Sequence, residues 1–93
     1  MDIQALTAFI AVAEHKSFSL AADQLHLTQP AISKRIKGLE GQLNNPLFER
    51  HNRSLSLTNT GQALLPKAKE IVQLVNDTQL SMRNMNHKVE GSL

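Results

Sequence analysis

The chain has 93 residues, and a chain of that size buries only roughly 60 to 65% of the surface its unfolded form exposes, so a thin stability margin is expected and a second folded domain is excluded. Ten Lys and Arg against eight Asp and Glu leave a net charge of +2, too little by itself to point to a polyanionic partner. There is no cysteine, which rules out a disulfide scaffold, a thiol nucleophile and every cysteine-based zinc or iron-sulfur site, and suits a reducing compartment.

The longest unbroken apolar run is Ala8 to Ala13, far short of the roughly 18 residues a membrane span needs, and Asp2 opens the chain where a leader would be basic. A soluble, cytoplasmic protein with no membrane contact is the expectation. Charge is uneven along the chain: residues 1–25 carry −2, residues 26–59 carry +3 and residues 60–93 carry +1. The middle third is therefore the candidate anion-facing surface.

Taken in chain order, Ile3, Leu6, Phe9, Ile10 and Ala13 recur at spacings of three and four and predict an amphipathic helix over about residues 2 to 15. Ser17-Phe18-Ser19 supplies hydroxyl caps for a short alanine-rich helix from Leu20 to Leu25, with Asp23 early in it. His26-Leu27-Thr28 is a tight connection, and Thr28 caps a third helix with Pro30 in its first turn, where the missing N–H costs nothing. In that helix Ile32, Ile36, Leu39 and Leu43 form the buried stripe, so that Pro30, Ser33, Lys34 and Lys37 point away from the core.

Asn44-Asn45-Pro46 stops the third helix. Leu47-Phe48-Glu49-Arg50 and Leu55-Ser56-Leu57, separated by the polar cluster His51-Asn52-Arg53-Ser54, then predict a small hairpin that carries Arg50 and Arg53 and is anchored by its leucines and Phe48. From Thr58 a long helical pattern begins in which Leu64, Ala68, Ile71, Val75, Thr78, Met82, Met85 and Val89 alternate by four and three, the signature of a heptad seam. A helix of about 30 residues spans roughly 45 Å, more than so small a domain covers with its own helices, and part of the seam is expected to need a partner chain. Pro66 is expected to kink this helix near its start.

Little else suggests chemistry. His15, His26, His51 and His87 show no ligand spacing, Gly38, Gly41, Gly61 and Gly91 are isolated rather than gathered in a phosphate loop, and Glu14, Glu40, Glu49 and Glu70 read as surface carboxylates. Neither a catalytic site nor a cofactor or metal is expected. What remains is a short helix, a three-residue connection, a helix with a basic outward stripe and a hairpin bearing two arginines. That set fits a helix-turn-helix with a wing, its second helix in the major groove and the hairpin on the adjacent backbone or minor groove. The competing expectation is a helical protein-interaction module that recruits a partner through the seam.

Phe9, Ser17-Phe18-Ser19, Ala21-Ala22, Leu25, Thr28-Gln29-Pro30-Ala31-Ile32-Ser33, Ile36, Leu39-Glu40, Leu43, Leu47-Phe48-Glu49-Arg50 and Leu57-Thr58-Asn59-Thr60-Gly61 together resemble the LysR-type transcriptional regulators, over almost the whole chain. The resemblance implies a mainly α fold: a winged helix-turn-helix DNA-binding domain over residues 1–58, with a three-helix core and a small β-hairpin wing, then a long linker helix for dimerisation over 59–89. Residues 90–93 would begin a C-terminal effector-binding domain that is otherwise missing.

Carried over by the same resemblance, Gln29, Pro30, Ser33 and Lys34 fall on groove-reading positions, Thr28 on a phosphate-contacting cap, and Arg50 and Arg53 on DNA contacts of the wing; Lys37 joins them from the helical wheel alone. Lys34 stands where the family often has arginine, and lysine cannot make the forked contact to guanine, so base and phosphate roles both stay open. The implied partners are double-stranded DNA carrying an interrupted inverted repeat, a second copy through the linker helix, higher oligomers of a full-length protein, and a small-molecule effector only through the missing domain.

Overall fold

A computed structural model describes residues 1–91, with side chains described through Met85 and Asn86. Four helices and one hairpin follow in the order α1 (Ile3–His15), α2 (Phe18–Leu25), α3 (Gln29–Leu43), β1 (Phe48–His51), β2 (Ser54–Leu57) and α4 (Asn59–Gly91). Expected and observed boundaries agree closely. Val89 lies beyond the described side chains, and Ser92 and Leu93 lie outside the described residues.

Each helix starts on a side-chain oxygen that takes up an otherwise orphaned backbone N–H. Asp2 Oδ1 accepts from Ala5 N at 2.7 Å, Ser17 Oγ from Leu20 N at 3.1 Å, Thr28 Oγ1 from Ala31 N at 3.2 Å and Thr58 Oγ1 from Gly61 N at 3.0 Å. The first three helices end alike, on Lys16, His26 and Asn44 in the left-handed region at φ 52°, 56° and 53°. After α2 the Leu27 N–H returns to the Ala22 carbonyl at 2.9 Å and the His26 N–H to Asp23 at 3.3 Å, a Schellman closure that turns the chain sharply into α3.

α1 is the hub of the core. Ala5, Leu6, Ala8, Phe9, Ala11 and Val12 are all buried, a distribution too wide for one stripe and suited to a helix covered on several sides. α2 and α3 pack against it, as does the first part of α4. Ile32, Ile36 and Leu39 of α3 close the core as expected, with Leu43 half-buried at its edge.

The wing is a two-stranded antiparallel ribbon in which Phe48 pairs with Leu57, Glu49 with Ser56, Arg50 with Leu55 and His51 with Ser54. Strand alternation puts Phe48, Arg50, Leu55 and Leu57 on the inner face, and Phe48, Leu55 and Leu57 pack against the core.

Two expectations are corrected. Ala68, placed on the dimer seam, is fully buried within its own domain; with Leu65 and Val72, also packed against the core, it forms a stripe about 60° wide at 100° per residue, and a short side chain there lets α4 approach α1. Glu40 is no free surface carboxylate: its Oε2 accepts from the Leu47 N–H at 2.7 Å, tying the end of α3 to the root of the wing. α4 runs unbroken through Pro66.

Candidate nucleic-acid interface

Gln29, Ser33, Lys37, Arg50 and Arg53 gather around two clefts between α3 and the wing, whereas Lys34 lines a separate one beside Asp2 and Arg35. Thr28, Gln29, Pro30, Lys34 and Lys37 are exposed along α3, Arg50 and Arg53 are exposed on the wing, and Ser33 is half-buried where α3 meets the hairpin. The two clefts are open and join these elements. One, of about 470 Å³, runs between the starts of α2 and α3 and the wing, with Lys16, Ser19 and Gln29 on one wall and Arg50 and Arg53 on the other. The second, of about 370 Å³, is bounded by Ser33, Lys37, Phe18 and Arg50.

Arg50 is held in place by a chain of rings. Its guanidinium carbon lies 4.7 Å from the centroid of the Phe18 ring, Phe18 meets Phe48 edge-on at 5.8 Å, and Phe48 meets the buried Phe9 at 5.5 Å. A cation over an aromatic face gains about 0.5 to 1 kcal/mol at an exposed site. That contact biases the wing's charge toward one position relative to the core.

Cations outnumber carboxylates around these clefts. Lys16, Lys34, Lys37, Arg50 and Arg53 are exposed there. Two carboxylates stand close by: Glu40, bonded to the Leu47 N–H, lines the second cleft beside Lys37 and Arg50, and Asp2 lies beside Lys34, while Glu49 is on the opposite face of the ribbon, 3.9 Å from His51. At the start of α3 the Thr28 hydroxyl caps the helix and Pro30 has no N–H to satisfy, which leaves the Gln29 amide at the positive end of the helix dipole. Such a terminus favours a phosphate group.

Three residues of these clefts escaped the sequence reading. Lys16 enters the first cleft because it closes α1 in the left-handed conformation. Phe18 is the platform for Arg50. Ser19, read as one of several caps, is one residue into α2, where only Ser17 caps; its hydroxyl donates instead to Gln29 Oε1 at 3.2 Å. The one available signal was spacing, since a single helix start needs a single cap.

The model of the bacterial regulatory helix-turn-helix proteins of the lysR family matches residues 3–62. The chain is 53% identical, over all 93 residues, to an uncharacterized HTH-type transcriptional regulator in the ibpB-leuC intergenic region of Azotobacter vinelandii, and spans 65% of that relative's length. To the uncharacterized HTH-type transcriptional regulator YbhD of Escherichia coli it is 41% identical over 85 residues, 91% of this chain and 27% of the relative. Among solved structures, that of the CbnR_DBD–DNA complex superposes with a TM-score of 0.85 at 36% identity, covering 92% of this chain and 99% of the other. With α1 to α3 and the wing falling inside the matched stretch, the chain belongs to the lysR family of bacterial regulatory helix-turn-helix proteins.

Proposed function

We propose that this chain binds double-stranded DNA in a sequence-specific manner as the DNA-binding portion of a bacterial transcriptional regulator, by recognition and not catalysis. α3 enters the major groove with Gln29, Pro30, Ser33 and Lys34, while Thr28, Lys37, Arg50 and Arg53 hold the flanking phosphates or the adjacent minor groove. The observation that carries this is the junction of the exposed stripe of α3 and the ring-supported Arg50 across the same clefts. The similar CbnR_DBD structure is that of a complex with DNA, which supports a DNA partner.

α4 pairs two copies. Leu74, Met82 and Met85 are 66%, 51% and 59% exposed, and with Ile71, Val75 and Thr78 they fall on a stripe about 100° wide. Thr78 gives its hydroxyl to the Leu74 carbonyl at 2.7 Å, so its methyl is the group left for a partner. Leu64 lies on the same stripe, one end of which is half-buried against its own domain. A two-fold dimer presents α3 twice and selects an interrupted inverted repeat. Higher assemblies and small-molecule sensing belong to a C-terminal effector domain outside these residues. The regulator works in the cytoplasm; among the described residues no helix is long and apolar enough to cross a membrane.

Fluorescence anisotropy with labelled duplexes tests the proposal. With about six to ten phosphates neutralised per dimer, affinity falls roughly 10³ to 10⁵-fold between 50 and 200 mM salt. A flat salt response, or no duplex binding at low salt, overturns it in favour of a protein-interaction module built on α4.

A further inference from the structure

Gln29 is the first residue of α3 and its side chain is exposed to the DNA-facing cleft. A glutamine amide has two different ends, a carbonyl oxygen that accepts and an NH2 that donates, and a free amide presents either by turning about one bond. Which end faces a base decides what it reads. Here the Ser19 hydroxyl, on the first turn of α2, donates to Gln29 Oε1 at 3.2 Å. Ser19 is free to do so because Ser17 already caps α2.

We infer that Ser19 is a specificity-determining positioning residue: in the observed arrangement its hydroxyl donates to the Gln29 carbonyl, which keeps that end toward α2 and leaves the amide NH2 for the base edge. The inference rests on the DNA-binding reading above and deepens it. A donor-only contact favours guanine, which offers acceptors N7 and O6, or thymine, which offers O4. Cytosine, which offers only a donor amino group, is disfavoured most, and adenine less so, because its single acceptor N7 lies beside a repelling amino group. Without Ser19 the amide turns over freely and accepts from those amino groups, so the same glutamine tolerates more bases. The hydroxyl itself need touch no DNA.

The test is selection of bound sequences from a random duplex pool by the full chain, its Ser19→Ala, Ser19→Thr and Gln29→Ala variants, and the Ser19→Ala/Gln29→Ala double variant, with melting curves confirming that each is folded. The parent selects guanine or thymine at the one position per half-site whose preference disappears in Gln29→Ala. Ser19→Ala admits adenine or cytosine there and weakens the preferred duplex roughly threefold to tenfold, the range of one net hydrogen bond, with random duplex held unchanged within about twofold. Ser19→Thr keeps a hydroxyl and restores the selection. In the Gln29→Ala background Ser19→Ala adds nothing, since the group it positions is gone.

Equal losses on preferred and random duplex, additive losses in the double variant, or an unchanged pool each overturn the positioning role while leaving DNA binding intact. Failure of the parent chain to bind any duplex overturns the DNA-binding reading itself, so the two failures are told apart.

Discussion

The first and second halves of α4 carry the same kind of apolar pattern and meet opposite surroundings. From Leu64 to Val72 the helix lies on the core, with Ala68 fully buried and Lys69 paired with Glu14 of α1 at 3.3 Å. From Asp77 to Asn86 every side chain is exposed, Met82 and Met85 among them. The cause is length. α1 has 13 residues and covers about 20 Å, whereas the 33 residues of α4 extend about 50 Å. A helical repeat therefore states that a face will be covered and says nothing of whether its own domain or another chain covers it.

The largest effect that sharpens this contrast is expected at Gly61, on the buried side. A Cβ there would meet the Leu47 carbonyl oxygen and come within 2.9 Å of Leu57 Cδ2. The carbonyl cannot simply retreat, because it accepts from the Thr58 N–H at 3.0 Å while the Thr58 hydroxyl donates to the Pro46 carbonyl at 2.7 Å. Gly61→Ala is expected to destabilise the domain by about 3 kcal/mol, the upper part of the range for overpacking, read as a lower urea midpoint at unchanged slope.

Glu40→Ala comes next, at about 2 kcal/mol, since it leaves the N–H of the fully buried Leu47 without its carboxylate acceptor. Glu40→Gln keeps an acceptor oxygen and is expected to recover most of the loss. A cost below about 0.5 kcal/mol for Glu40→Ala, the level of an ordinary surface change, returns Glu40 to the surface carboxylates.

Much of this was legible in the residues. The caps Ser17, Thr28 and Thr58, the buried stripe of α3 and the two-stranded wing all follow from local chemistry, which acts over three or four residues and is written within that span. Glu40 reaching Leu47, Gly61 lying under the Leu47 carbonyl and Ser19 reaching Gln29 were hidden, because each joins two elements whose mutual placement is set by packing. Ala68 was misplaced for a subtler reason. Its stripe with Leu65 and Val72 adjoins Val75 and Met82, at the edge of the outward stripe on the wheel, and a single seam drawn along α4 passes from one into the other.

Arg53, at the tip of the wing and exposed, separates folding from binding. Arg53→Ala is expected to leave the urea midpoint in place, to weaken preferred and random duplex alike, and to lower the salt slope by about one contact. A loss confined to the preferred duplex would instead make Arg53 a reader of bases or of groove shape.

The smallest effect on stability, and the sharpest test of the contrast, belongs to the distal half of α4. Ile71 is a poor place to probe association, since it packs against the core of its own domain and a lysine there disturbs folding and pairing together. Met82 and Met85 touch no core residue and are more than half exposed. Met82→Lys with Met85→Lys is therefore expected to change unfolding by less than about 0.5 kcal/mol when measured at a dilution where the parent is also monomeric. At tens of micromolar the same pair is expected to convert a dimer into a monomer by sedimentation, because two lysines per chain then face two more across the seam. A double variant that unfolds as readily as Gly61→Ala places the distal half within the folded core. One that remains dimeric moves the association surface off this stripe.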